Sequence, residues 1–166
     1  VEAAAYKEQG GNVSISGYNL ENIHVDTTRT TSMTKAAVMQ GAGGIIGYSR
    51  CTNLNLNNIN ITGSNRNQVG YDGLGKYVGG MIGAVWATGN TGDNYQGWNG
   101  NVYKGVSTTN ILGCKVENMD VKGNMALAGG IVGRDGIEVL NIGSDTQSNT
   151  VNNVSVSNKK SDAAGG

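Results

Sequence analysis

The residues of this chain that could carry out chemistry are few and scattered. The sequence has a single histidine, His24, which stands at a polar position between two aliphatic residues. The carboxylates Asp72, Asp93, Asp120 and Asp135 belong to four different segments. A glycosidase or polysaccharide lyase needs an acid and a base that converge on one face. The sequence therefore predicts no catalytic residue and no enzyme.

The two cysteines do not predict a metal or cofactor site. A transition-metal site needs a cluster of Cys and His, and Cys51 and Cys114 have only one histidine to join them. Cys114 takes a position that the repeat described below assigns to an inward aliphatic, so we expect a buried thiol. A Cys51–Cys114 disulfide would require offset positions to meet. Asp72, Asp93 and Asn94 match no calcium loop with a fixed ligand pattern.

Aromatic side chains are the best candidates for ligand binding. They are Trp86, Tyr95, Trp98 and Tyr103 within residues 84–107, and Tyr71 within the polar residues 63–77. Trp and Tyr surrounded by Asn and Gly are suited to stacking on sugar rings or to contacting a protein, so a host glycan or host protein is the candidate partner. The alternative is structural: the same rings cover the flank of the domain. The sequence leaves both interpretations open.

A six-residue pattern that occurs four times indicates the elements that position these residues. Residues 20–25, 56–61, 116–121 and 151–156 read aliphatic, polar, Asn, aliphatic, polar, aliphatic, with Asn22, Asn58, Asn118 and Asn153 in third place. Alternation on each side of the Asn predicts strands, and the slip of one residue at the Asn predicts a bend. We expect the four Asn side chains to stack in one file and bond one another.

A second motif gives the fold. "AGGIIG" at 42–47, "VGGMIG" at 78–83 and "AGGIVG" at 128–133 alternate with the hexapeptides, and the spacing of 36 residues from Gly43 to Gly79 equals that from Asn22 to Asn58. Such a period is typical of a solenoid. We predict an all-β parallel β-helix of about four coils, with three strands per coil roughly 4.8 Å from the next coil. Residues 84–107 interrupt one coil as a long loop.

The unit "GGIIGYSRCTNLNLNNINITG" at 43–63 resembles the GLUG-motif repeat, whose core is Gly, two hydrophobic residues and Gly. That repeat occurs in large bacterial surface proteins and beside some immunoglobulin-A metallopeptidases. The core tetrads here begin at Gly44, Gly80 and Gly130, and the resemblance covers about residues 41–158. It implies an extracellular, repetitive scaffold. It implies no catalytic residues and no cofactor.

Composition limits the partners. The chain of 166 residues fits one domain, 1–166; its formal net charge is zero, and no run of Lys or Arg offers a surface for nucleic acid. No apolar run is long enough to insert in a membrane. The composition of both ends suggests that the chain is a segment of a larger protein. Flanking domains or head-to-tail self-assembly are therefore expected to cover the open ends of the solenoid.

The sequence therefore predicts a non-enzymatic structural or adhesive segment of a secreted or cell-surface bacterial protein. Two alternatives remain. One is a carbohydrate-binding module that uses the aromatic insertion, and the other is a β-helical enzyme acting on polysaccharide.

Overall fold

The computed structural model describes residues 3–4, 12–26, 41–50, 53–71, 77–86, 108–123, 127–136, 139–158 and 163–165. Within these ranges the chain is all-β, with strands and no helix. In chain order the strands are β1 (Ala3–Ala4), β2 (Asn12–Ser16), β3 (Asn19–Glu21), β4 (His24–Asp26), β5 (Gly41–Gly43), β6 (Ile46–Arg50), β7 (Asn53–Asn57), β8 (Asn60–Thr62), β9 (Asn67–Tyr71), β10 (Tyr77–Gly79), β11 (Ile82–Trp86), β12 (Thr108–Leu112), β13 (Lys115–Gly123), β14 (Leu127–Gly129), β15 (Val132–Gly136), β16 (Val139–Ile142), β17 (Thr150–Asn158) and β18 (Ala163–Gly165).

The strands form four sheets, and every pairing in them is parallel. Sheet A has the order β1-β6-β11-β15, sheet B the order β2-β7-β12-β16, and sheet D the order β5-β10-β14-β18. In sheet C, β3 and β4 pair with β8 and β9, these two pair with successive halves of β13, and β13 pairs with β17. The prediction of an all-β fold with parallel strands is confirmed.

The chain visits the four sheets in a fixed order. It passes through sheets A, B, C and D four times, and we call each passage a cycle: β1–β5, β6–β10, β11–β14 and β15–β18. Strands of consecutive cycles are neighbours in every sheet. The sheets do not close on themselves, so among the described residues each has one edge formed by cycle 1, with both β3 and β4 in sheet C, and one edge formed by cycle 4.

The core lies between the sheets and consists of their inward-facing aliphatic side chains. Buried and less buried residues alternate along β7 and β12, as expected for strands with one face on a core. Each fully buried aliphatic stabilises the fold by about 1.5–3 kcal/mol. The largest fully buried side chains are Ile46, Leu54, Leu56, Ile59, Ile61, Met81, Ile82, Ile111, Met119, Val69, Val78 and Val85.

The Gly-Gly-aliphatic-aliphatic-Gly motif forms a connection between two strands. Gly44 and Ile45 join β5 of sheet D to β6 of sheet A, so a cycle contains a short fourth segment that the expected three strands per coil did not include. A Cβ atom at Gly43 would overlap the carbonyl oxygens of Ile46 and Met81. Because both obstacles are backbone, only glycine allows the two sheets to approach this closely.

Candidate functional site

The aromatic residues predicted to bind a ligand fall at the edges of the described structure or outside it. Tyr95, Trp98 and Tyr103 lie outside the described residues. Trp86 ends β11, where its backbone pairs with β6 and β15, and Tyr71 ends β9. The side chains of both lie outside the described part of the chain. Residues 84–86, assigned to the insertion from the sequence, belong to β11, so the insertion comprises residues 87–107.

Tyr77, the other tyrosine of the polar stretch 63–77, has a structural position. It is 3% exposed on the outer side of sheet D and packs with Tyr48, Ala84 and Leu127. The guanidinium of Arg134 lies 4.8 Å from the centre of its ring, and Arg134 also donates a hydrogen bond to its hydroxyl oxygen. The Tyr77 ring therefore stabilises the junction of sheets D and A through packing and a cation–π contact.

The four repeated asparagines share a backbone conformation but not a single file. Their φ angles lie between 49° and 54°, in the left-handed region that Asn tolerates better than most residues. Asn22, Asn118 and Asn153 lie at the same bend inside sheet C, where cycle 2 has Gly63. Asn58 lies one bend earlier, between sheets B and C, beside Gly113.

The register explains why the file of asparagines is divided. Leu20 pairs with Ile61, 41 positions later, so the 36-residue spacing from Asn22 to Asn58 is not the structural offset. Both bends require a left-handed residue, and either Gly or Asn can supply it. Aligning the four hexapeptides by sequence therefore assigned Asn58 to the wrong bend.

At the bend inside sheet C the amides connect the cycles directly. Asn153 donates from Nδ2 to Oδ1 of Asn118 at 2.7 Å, and Asn118 donates from Nδ2 to the carbonyl oxygen of Gly63 at 3.0 Å. Asn22 accepts at Oδ1 from the backbone N–H of Asn65 at 3.1 Å. These bonds link cycle 4 to cycle 3, cycle 3 to cycle 2, and cycle 2 to cycle 1.

Further amide ladders cover the outer faces of sheets B and C, and all of them run in one direction. In each bond the side chain of the later cycle donates and that of the earlier cycle accepts. The pairs are Asn53 to Asn12 at 2.6 Å, Asn55 to Ser14 at 3.3 Å, Asn60 to Asn19 at 2.7 Å, Asn110 to Asn55 at 2.8 Å and Asn141 to Asn110 at 2.7 Å. The polar outer residues are therefore used to hold consecutive cycles together.

Asn67 is a buried polar residue in a column that is otherwise aliphatic. It pairs with Met119 and takes the same position as Ile23, and it is fully buried. Its Oδ1 accepts from the backbone N–H of Ile23 at 2.9 Å, and its Nδ2 donates to the carbonyl oxygens of Thr62 at 3.0 Å and Glu117 at 2.9 Å. One side chain thus bonds backbone groups of three consecutive cycles, which satisfies its polar atoms.

Arg66 forms a polar cluster with the next two cycles on the outer face of sheet C. Its guanidinium donates twice to Oδ1 of Asp120, at 3.1 and 2.5 Å, and once each to the carbonyl oxygens of Met119 at 3.3 Å and Asn153 at 3.1 Å. Ser155 donates from its hydroxyl to the same carboxylate oxygen at 2.5 Å. The hydrogen bond from Arg66 is the main reason why the pKa of Asp120 lies below its usual value, since partial burial acts in the opposite direction.

Sequence reasoning missed Arg66 and Asn67 and treated Asp120 only as one of four scattered carboxylates. The structure instead pairs Asp120 with Arg66 and leaves its side chain 22% exposed. The available signal was the polar stretch after Thr62, where residues 64–66 add three positions between Gly63 and Asn67 that the other cycles lack. This departure from the repeat places a cation and an amide where they can reach neighbouring cycles.

Cycle 4 exposes an apolar hollow between its strands. Ile142 and Val151 occupy inward positions but are 49% and 45% exposed, because no described strand lies beyond them. With Ile131, Gly143, Ser144, Ser148 and Asn149 they line an open hollow of about 550 Å³. Ile142 and Val151 therefore form an exposed apolar edge of cycle 4.

Cys114 is a free thiol in the core, as its inward position predicted. Its Sγ lies 3.4 Å from the carbonyl oxygen of Leu112, and burial raises its pKa. Cys51 lies outside the described residues. Among the described residues, no three His, Cys, Asp or Glu side chains are grouped to hold a metal ion, and no helix there could span a membrane.

Comparison with known proteins gives no relative: no family model, no curated protein and no solved structure matches this chain.

Proposed function

We propose that this chain is a β-helical scaffold segment of a secreted or cell-surface bacterial protein, related to GLUG-motif repeats, and that it has no catalytic activity of its own. The amide ladders carry the proposal, because they commit the outer polar side chains of sheets B and C to bonds between cycles. A scaffold needs such bonds along its length.

The β-helix part of the proposal draws its support from the path of the chain. The fixed order of four parallel sheets, with consecutive cycles adjacent in each, is what a right- or left-wound helix of strands produces. Left-handed residues at corresponding bends of each cycle support the same winding. The three Gly-rich motifs support the relation to GLUG repeats, since they recur at the same D-to-A connection.

Any adhesive activity of this scaffold is assigned to the insertion 87–107. In cycles 2 and 4, strands of sheets A and B are joined by residues 51–52 and 137–138, whereas in cycle 3 the same connection has the 21 residues 87–107. Since β11 keeps its register with β6 and β15, the two-residue connection suffices for the fold. The extra residues are therefore free to serve recognition.

This difference provides the experiment. Residues 87–107 are replaced by Gly-Ser, which reproduces the connection of cycles 2 and 4. The excised and full chains are compared by thermal unfolding, by binding to arrays of glycans and surface proteins, and by turnover of a panel of polysaccharides.

We expect both chains to unfold cooperatively at similar temperatures and neither to release product from any polysaccharide. Binding by the full chain that is absent from the excised chain would assign an adhesive function to the loop of the scaffold. Turnover by the full chain would overturn the non-enzymatic proposal. Loss of cooperative unfolding after excision would overturn the view that the cycles alone form the scaffold.

A further inference from the structure

In sheets B and C the outer edge of cycle 4 lacks the features that normally protect an edge strand, whereas β15, the edge strand of sheet A, carries Arg134 and Asp135. β17 has nine residues, and among the described strands it pairs along one edge only, with β13. Natural edge strands carry Lys, Pro, bulges or inward charges that prevent further pairing. β17 reads "TVNNVSVSN" and the neighbouring β16 reads "VLNI", so neither contains a charge or a proline. This edge is therefore suited to receiving another strand.

The apolar side chains at this edge have counterparts at the opposite end. Ile142 continues the column of Leu56 and Ile111, which begins in cycle 1 with Ile15. Val151 likewise continues a column that begins with Leu20. Ile15 and Leu20 are only partly buried, whereas their equivalents in cycles 2 and 3 are fully covered. The two ends of each column therefore present matching aliphatic residues.

The amide ladders give the two ends opposite hydrogen-bonding character. Because the later cycle donates in every bond of these ladders, the ladders end in cycle 4 with the Oδ1 atoms of Asn141 and Asn153, to which no described residue donates. In cycle 1 they begin with Asn12 and Asn19, which accept from cycle 2 and donate to no described residue. One end thus presents acceptors and the other presents donors.

We propose that the exposed face of cycle 4 binds cycle 1 of a second copy of this chain, head to tail. The inference rests on the proposed β-helix. Parallel strands, matching aliphatic columns and opposed amide polarity all require this direction, because two cycle 4 faces would place acceptor against acceptor. The contact is heterologous and leaves a free end on each side, so copies add in series.

Continuing the register across this contact gives specific pairs. The column of Glu21, Thr62, Glu117 and Asn152 places Asn152 of one copy beside Glu21 of the next. The column of His24, Gln68, Asp120 and Ser155 places Ser155 beside the next His24. Since the last member of each column is neutral, no like charges meet.

The first experiment measures association of the full chain by sedimentation velocity over a range of concentrations, with electron microscopy of the largest species. We expect the sedimentation coefficient to rise with concentration and the species to be linear. Val151→Asp places a charge in the hollow, where it is solvated in the single chain and buried in the contact, so association should fall at least about tenfold.

A charge exchange tests the register. Asn152→Glu opposes the next Glu21 and should weaken association about two- to fivefold relative to Asn152→Gln. The double variant Glu21→Lys with Asn152→Glu should restore it. Within one chain, residue 152 lies beside Glu117, and this pair is the same in Asn152→Glu and in the double variant. If Asn152→Glu weakened association only by disturbing the fold locally, adding Glu21→Lys would not restore association.

Mixing separates head-to-tail growth from a closed dimer. Val151→Asp chains retain their cycle 1 face, so they should bind to wild-type ends and shorten the assemblies. A wild-type chain that is monomeric at every concentration, or a dimer that Val151→Asp chains do not cap, would overturn the proposal. If the wild-type chain is monomeric but unfolds cooperatively, only the head-to-tail contact is refuted. The proposed scaffold function is tested separately, by excision of residues 87–107 and by the assay of polysaccharide turnover.

Discussion

Replacing Asn67 with Leu is the most informative test of the way consecutive cycles are held together. Leu has nearly the shape of Asn and matches the aliphatic column of Ile23, Met119 and Val154 in which Asn67 lies. By hydrophobicity alone the substitution should stabilise the fold, with a gain of about 1.5–3 kcal/mol for a buried aliphatic side chain. The hydrogen bonds of Asn67 predict the opposite.

The hydrogen bonds outweigh the apolar gain. The Asn67→Leu substitution would leave the N–H of Ile23 without its acceptor, at a cost of about 1–3 kcal/mol, and would remove the donors to Thr62 and Glu117, at about 0.5–1.5 kcal/mol each. Thr62 keeps a second bond, from the N–H of Asn22 at 3.3 Å, which favours the lower part of that range. The net expectation is a loss of about 1 kcal/mol.

The measurement is urea unfolding followed by far-UV circular dichroism. With a slope of about 2 kcal/mol per molar, the urea midpoint of Asn67→Leu should fall by about 0.5 M. Asn65→Ala changes an exposed neighbour and should stay within about 0.5 kcal/mol of wild type. Amide exchange at Ile23 should accelerate in Asn67→Leu alone. An unchanged or higher midpoint would show that the aliphatic column, not the bridging amide, determines stability here.

Three further substitutions follow from the described contacts. Thr109→Val should raise the free energy of unfolding by about 1 kcal/mol in the same urea assay, because the buried hydroxyl of Thr109 has no hydrogen-bond partner among the described residues; a lower midpoint would contradict this. Gly79→Ala should lower the free energy of unfolding by about 3 kcal/mol or more, because its Cβ would overlap backbone atoms. Gly17→Ala should lower it by only about 1–2 kcal/mol, because the space around Gly17 is open and only its φ of 74° is unfavourable for alanine. Equal losses in the two variants would refute the steric argument. Arg66→Gln should cost about 0.5–1 kcal/mol at pH 7. Because the folded-state pKa of Asp120 is depressed, the stabilisation is present above the ordinary pKa of about 3.9 and is lost as pH falls through the lower folded-state pKa, so a difference in stability between Arg66→Gln and wild type that does not shrink as pH falls would contradict the ion pair.

The sequence predicted the architecture better than the register. Alternating aliphatics predicted strands, because a strand with one face on a core requires an apolar side chain at every second position. The bends were harder to align, since Asn58 and Gly63 both take a positive φ, of 52° and 135°, and residue type alone does not show which bend each occupies. Only the paired strands distinguish the two bends.

The bridging residues could not be predicted from the repeat because they are exceptions to it. Arg66 is one of three positions that the other cycles lack and Asn67 follows them directly, so no periodic pattern assigns them neighbours. Two of their partners, Asp120 and Glu117, lie at least 50 residues further along the chain. Such contacts depend on the register between consecutive cycles, which the local sequence pattern does not determine.

The order of the cycles also determines how the molecule responds to force. β1 and β18 are edge strands at opposite ends of the series, and tension between them acts along the hydrogen bonds that join consecutive cycles. Such loading breaks few bonds at a time, so cycles should peel away one after another. A cycle of 36 residues, the offset between Gly41 and Tyr77, releases about 120 Å of extended chain. The protein would then lengthen in steps and dissipate work at each one.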